Sequence, residues 1–154
     1  MTLREATAAD LPALVSLVRA AFEEYRDRLD PPSGALDETE ETLGQALGAG
    51  FAVIAYRDRE AVGCAFYHRE RDHLYLGRLS VLPAFRRHGI AQALTAYVEQ
   101  RARALRVPRV QLGVRTALPF LRAYYERLGY RVVRQEAHVG YAAPTSVVME
   151  KELP

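Results

Sequence analysis

Between Phe51 and Val81 three apolar-rich runs follow one another with only short polar turns between them, and that spacing restricts the chain more than any other feature. Phe51-Ala52-Val53-Ile54-Ala55-Tyr56 and Ala61-Val62-Gly63-Cys64-Ala65-Phe66-Tyr67 carry a period of two on either side of the polar turn Arg57 to Glu60, which is a hairpin signal. A third run, His73 to Val81, follows the charged turn Arg69 to Asp72, and Pro83 ends it. The middle of the chain is therefore expected to form an antiparallel meander.

The flanks read differently. Thr2 to Ala6 is a short opening strand, and Thr7 and Asp10 form a capping-box-like start for a helix with Leu11, Leu14, Val15, Val18 and Phe22 at helical spacing, running to about Arg26. Leu29 to Gly34 is dense in turn formers, and Asp37 to Leu47 resumes a weaker helical pattern. After Pro83, Ile90, Leu94, Tyr97, Val98 and Leu105 mark a helix over Gly89 to Leu105, and Arg109 to Val114 alternates as a strand. Leu118 to Leu128 is a further helix stopped by Gly129, and strands follow over Tyr130 to His138 and Thr145 to Leu153. The fold class is α+β: a mixed, mostly antiparallel sheet of about seven strands flanked by about four helices.

At 154 residues with 49% apolar and 26% charged residues, the chain has the size and composition of one globular domain, residues 1–154. A net charge of +2 is too small for a partner such as nucleic acid, whose binding concentrates many cations on one face. No window approaches the roughly 18 uncharged apolar residues of a membrane span, and Met1 to Asp10 has no apolar signal region, so no membrane association and a cytoplasmic location are expected. Cys64 has no cysteine partner and sits in an apolar stretch, where a buried small hydrophobe is the plainer reading than a catalytic thiol. His68, His73 and His138 lack metal-ligand spacing, and no metal is expected. Either a monomer or a homodimer is compatible with the sequence.

Chemistry concentrates in Leu79 to Ala91, an apolar strand, a Pro turn, and a basic, Gly-containing start to an amphipathic helix. Unpaired helix-start N–H groups and the positive end of the helix dipole favour an anion such as a pyrophosphate there. Gly89 permits close approach of the backbone, and Arg86, Arg87 and His88 add donors. The chain lacks both the Gly-Lys-Ser/Thr signature of a nucleotide-binding P-loop and the three-glycine dinucleotide fingerprint.

Arg86-Arg87-His88-Gly89-Ile90-Ala91, preceded by Val81-Leu82-Pro83, resembles the Arg/Gln-x-x-Gly-x-Gly/Ala loop of the GNAT superfamily of acyl-CoA-dependent N-acetyltransferases. Tyr124-Tyr125-Glu126-Arg127-Leu128-Gly129-Tyr130 is similar to that family's Tyr-Glu-x-x-Gly-Phe segment, and Met149 to Leu153 to its usual last strand. The resemblance covers nearly the whole chain. It implies acetyl-CoA as co-substrate, with main-chain groups of Leu79 and Val81 bonding the pantetheine arm and the N–H groups of Arg87, His88, Gly89, Ile90, Ala91 and Gln92 holding the pyrophosphate, beside Arg86. It also implies Tyr125 as the general acid for the departing thiolate, while an amine attacks directly without an acyl-enzyme. Leu118 stands where many members carry an Asn that touches the cofactor arm, and Ala91 replaces a frequent Gly.

The acceptor side in the family is walled by the segments that correspond here to Phe22–Thr39 and Gly140–Thr145. Glu24 and Tyr25, beside Glu23, Arg28, Asp30, Pro31 and Pro32, suit a shaped polar pocket, so a small-molecule amine is favoured over a protein acceptor. The segment before the loop, His73 to Ser80, contains no Glu, which leaves water, Glu23 or Glu24 as bases. Arg78 and Arg115 are placed to neutralise an anionic acceptor or simply to be solvated. A non-catalytic acyl-CoA-binding module fits the same loop, and Tyr125 and its neighbour Tyr124 also read as packing residues.

Overall fold

The computed structural model describes residues 1–154. Its elements are β1 (Thr2–Glu5), α1 (Leu11–Phe22), α2 (Glu40–Ala49), β2 (Phe51–Arg57), β3 (Glu60–Arg69), β4 (His73–Val81), α3 (Ile90–Ala104), β5 (Arg109–Arg115), α4 (Pro119–Arg127), β6 (Arg131–Glu136) and β7 (Ser146–Glu152). They form one seven-stranded sheet in the order β1-β2-β3-β4-β5-β7-β6, mixed and mostly antiparallel, with four helices, as the sequence predicts. None of the helices is long and apolar enough to cross a membrane.

Each element follows from its local chemistry. The turns Asp58-Arg59 and Arg71-Asp72 are too short for anything but reversal, so β2, β3 and β4 pair antiparallel in sequence order. The connection from β4 to β5 contains α3, and a strand-helix-strand crossover lays the two strands parallel, from His73 opposite Arg109 to Leu76 opposite Leu112. Thr39 caps α2 by accepting the Thr42 N–H at 3.1 Å. Two expected boundaries move: α1 ends at Phe22 rather than about Arg26, with Glu23–Tyr25 continuing as a single 3-10 turn, and α2 starts at Glu40 rather than Asp37, which closes a 3-10 turn from Gly34. Four turn residues close together, Asp30 to Ser33, pull the chain away to cover the sheet.

Period-two alternation sorts the sheet's side chains onto two faces. Ala52, Ile54, Cys64 and Phe66 are buried against Leu14, Leu17 and Val18 of α1 and Leu43 of α2. Val53, Ala55, Ala65 and Tyr67 face the other way, toward Ile90, Leu94, Val98 and Ala102 of α3 and Tyr125 of α4. Gly63 is needed where α3 crosses β3, because a Cβ there would lie 2.8 Å from the Ser80 carbonyl oxygen and 3.0 Å from Ile90 Cγ2. Gly48, near the end of α2, has nothing within 4 Å of its Cβ direction.

These two glycines give opposite expectations for the same substitution. Gly63→Ala forces backbone or α3 to shift and lowers stability by about 1–3 kcal/mol. Gly48→Ala removes chain entropy from the unfolded state in a helix and raises stability by about 0.5–1 kcal/mol. Thermal and urea unfolding of the two variants measures both signs.

Candidate active site

Past Leu76 and Leu112 the parallel pairing of β4 and β5 stops. A β-bulge is the local cause: Phe66 is opposite Gly77 and Cys64 opposite Ser80, so Arg78 and Leu79 together face Ala65 alone. Arg78 adopts a left-handed φ of 48°, and the bulged strand bends with β3 away from β5. On the other side β5 stays paired with β7 as far as Arg115 opposite Ser146. The gap so opened holds a cavity of about 940 Å³ that passes between the two layers of helices. Phe22 of α1 and Leu43 and Ala46 of α2 line one end, and Leu118, Leu121 and Tyr125 the other.

At the far end of β4 the chain makes a 3-10 turn, Pro83–Phe85, held by the Phe85 N–H donating to the Leu82 carbonyl at 2.9 Å. Leu82 is tied back to β3 by its own N–H on the Val62 carbonyl, also 2.9 Å. Arg87 (φ 65°) and Gly89 (φ 78°) then take left-handed conformations on either side of His88, curling successive N–H groups into a concave nest before α3 starts. The first amide bonded back into the helix is that of Ala93, to the Gly89 carbonyl at 3.0 Å. The preceding first-turn amides lack helical partners, and α3 has no acidic residue in that turn to occupy them. The space beside Gly89 is empty of protein to 4 Å. A negatively charged group fits this loop on those grounds.

The sequence-predicted residues are distributed as follows. Leu79 lines the cavity from the free edge of β4, and Val81, at the end of that strand, adjoins the loop. Arg87 and His88 border a smaller, polar cavity of about 490 Å³ with Arg57 and Met1. Arg86 is directed elsewhere: its guanidinium donates to the Glu24 carboxylate and to the Ala21 carbonyl at 2.9 Å, pinning the loop to the end of α1. Glu24 is thus engaged outside the cavity, and Glu23 pairs with Arg26 at 2.7 Å in solvent. Tyr25 does line the cavity, and burial raises its pKa.

Tyr125 is 7% exposed and lines the cavity from α4. Its ring packs edge-on against Tyr124 and Tyr130, with centroids 5.2 and 5.8 Å away, and its hydroxyl has no hydrogen-bond partner within the protein. Burial pushes its pKa well above that of a free tyrosine, so the phenol keeps its proton at neutral pH. Tyr124 lies outside the cavity.

Sequence reasoning did not find three further wall residues. Glu38, the one carboxylate on the wall, accepts from Arg78 Nε at 3.0 Å. Tyr75 reaches across β5, where a Cβ on Gly113 would come within 2.9 Å of its hydroxyl. His138 sits at the start of the β6–β7 connection and bonds Thr145. Only the glycine in β5 was a visible hint, since Gly113 interrupts an otherwise apolar strand. Of the two segments expected to wall the acceptor side, the α1–α2 connection supplies Leu29, Pro31 and Pro32 to the cavity. Gly140–Thr145 of the β6–β7 connection reaches it only indirectly, through the Tyr141 hydroxyl donating to the Asp30 carboxylate.

Comparison with known proteins agrees with this architecture. The model of the acetyltransferase (GNAT) family matches residues 11–130. An uncharacterized N-acetyltransferase of Escherichia coli, YjgM, is 28% identical over 147 residues, covering 91% of this chain and 84% of that one. The fold is similar to that of the PaiA N-acetyltransferase from Thermoplasma acidophilum in complex with coenzyme A, at 17% identity, a TM-score of 0.81 and coverage of 99% and 100%. It is likewise similar to the ribosomal-protein-S18-alanine N-acetyltransferase from Escherichia coli, at 19% identity, a TM-score of 0.79 and coverage of 98% and 92%.

Cys64 lies under α1, fully buried, and burial pushes its thiol up to about 12. A thiolate is the reactive species, so the folded protein is expected to be inert to an aromatic disulfide reagent at pH 8. One thiol per chain should react once denaturant is added, and rapid reaction of the native protein would show the sheet face to be open.

Proposed function

The chain belongs to the acetyltransferase (GNAT) family, and on that premise we propose that it binds acetyl-CoA in the gap between β4 and β5 and passes the acetyl group to the primary amine of a small molecule. The observation that carries this reading is the unpartnered Tyr125 hydroxyl on the wall of a cavity whose other boundary is the free edge of β4. The fold relative that carries coenzyme A lends further support.

Bound acetyl-CoA supplies an acetyl carbon activated as a thioester. The nest from Arg87 to Gln92 holds the pyrophosphate through main-chain N–H groups, and the left-handed Gly89 keeps a side chain out of the way. Arg86 acts through position, fixing the loop to α1, while Arg87 adds an unpaired positive charge. Leu79 and Val81 offer the main-chain groups that β5 no longer uses, and the arm bonds them like an added strand. As the acceptor's nitrogen bonds the acetyl carbon, the carbon–sulfur bond breaks and the sulfur takes the Tyr125 proton. The acceptor's excess proton leaves to Glu38, the carboxylate on the cavity wall. Solvent then returns a proton to Tyr125 and takes the one on Glu38. Leu118 lines the arm's path with an apolar contact.

A small acceptor is favoured because the Tyr141–Asp30 bond joins the two connections beside the cavity and narrows the approach open to a polypeptide. A polypeptide amino terminus turned over faster than any small amine would reverse that preference.

Gly89→Glu puts a carboxylate in the nest and is expected to abolish acetyl-CoA binding in calorimetry while the unfolding transition persists. Equal affinity would remove the loop from the site. Tyr125→Phe preserves the ring's packing and removes the proton, so kcat should fall on the order of 100-fold with acetyl-CoA affinity unchanged. Because burial raises the Tyr125 pKa, the wild-type rate should show no loss from tyrosine ionisation up to pH 10.

A further inference from the structure

Two guanidinium groups and one carboxylate stand on the wall of the cavity, and their pairing is unequal. Arg78 is matched by Glu38 at 3.0 Å. Arg115, at the end of β5, has no ion-pair partner. Its Nη2 donates to the Pro31 carbonyl of the α1–α2 connection, and its buried Nε has no hydrogen-bond partner at all. Burial already lowers its pKa below the ordinary arginine value, a sign that the charge is held against the cost of losing water. Asp30 lies close enough for its field to reach Arg115, but its carboxylate accepts the Tyr141 hydroxyl and forms no ion pair. A guanidinium on a cavity wall with no carboxylate of its own keeps bonding capacity for a group that enters the cavity. An anion suits that place, because the wall carries one positive charge in excess.

Building on the acetyl-transfer reading above, we propose that the acceptor is a small amine that carries a carboxylate, an amino-acid-like zwitterion whose carboxylate is bound by Arg115. The Pro31 carbonyl takes one hydrogen of Nη2 and fixes the guanidinium plane, which leaves the remaining hydrogens of the two terminal nitrogens as a fork for the two carboxylate oxygens. Arg78, held by Glu38, adds a second cation on the same wall without adding net charge. Polyamines and aminoglycosides bring several positive charges to a cavity that already has one too many, so they are disfavoured. At a peptide amino terminus the corresponding carboxyl group is an amide, which offers Arg115 no charge. Arg115 is thereby a specificity-determining residue.

The test compares pairs of acceptors that differ only at the carboxylate, amino acids against their primary amides and decarboxylated amines, by acetyl-CoA-dependent thiol release. Wild-type protein should favour the carboxylate-bearing member by about 30-fold or more in kcat/KM, as expected for a charge-assisted fork. Arg115→Gln should erase that preference by lowering the rate on the acids alone, with the amides and acetyl-CoA affinity unaffected. Arg115→Lys, a point charge without the fork, should restore part of it. Turnover of amides or polyamines as fast as that of the acids overturns the proposal while leaving acetyl transfer standing. Loss of acetyl-CoA affinity in a folded Arg115→Gln variant overturns it too, by assigning the arginine to the co-substrate. Turnover of no amine of either kind, with acetyl-CoA bound, defeats the acetyl-transfer reading and this inference with it. The wild-type comparison decides the matter even if the variant fails to fold.

Discussion

Two parallel strands that begin in register and cannot stay together set the shape of everything around them. β4 and β5 share a ladder only from His73 and Arg109 to Leu76 and Leu112. Beyond that point each strand keeps its outer neighbour, β4 with β3 through a bulge and β5 with β7, so the sheet divides rather than frays. Peptide groups on the two inner edges are then left without partners in a protein interior, where unpaired N–H and C=O groups are costly. An extended ligand arm with amide groups of its own would satisfy them, and the cavity lies there because the strands leave it.

The charged groups follow from that geometry. α3 starts where β4 ends, so its unbonded amides and the left-handed loop before it sit at one mouth of the gap. Arg86 fastens this loop to the end of α1, which couples the anion-binding turn to the connection that covers the opposite mouth. That connection is held in turn by Arg115 through the Pro31 carbonyl and by Tyr141 through Asp30. The two mouths therefore share a structural element.

Much of this was legible in the sequence because it depends on short-range pattern. The meander is dictated by three alternating runs with turns too short for a crossover, and the parallel pair by the helix between β4 and β5. Gly89 and its basic neighbours marked the loop, and Tyr125 was marked by its motif. What could not be read was set by contacts distant along the chain. Glu38 reaches Arg78 forty positions away. Arg86 looked like a phosphate ligand from its place in the loop, yet its side chain answers to Glu24, which no local pattern joins to it. The bulge at Arg78 and Leu79 was hidden for a related reason: an extra residue in one strand leaves the alternation looking continuous until its partner strand is aligned. Glu23 and Glu24 were reasonable bases on a helix extended to Arg26, and ending α1 at Phe22 turned both toward arginines instead.

In the proposed complex the co-substrate lies along the free edge of β4 with its pyrophosphate on the turn before α3. Titration of the amide-labelled protein with coenzyme A, followed by two-dimensional nuclear magnetic resonance, tests it most directly. The account predicts that the largest amide shifts fall on Arg87 to Gln92 and on Leu79 and Val81, with β1, β6 and the outer face of α2 unmoved. Saturable binding that leaves those amides in place and moves a surface elsewhere would contradict it.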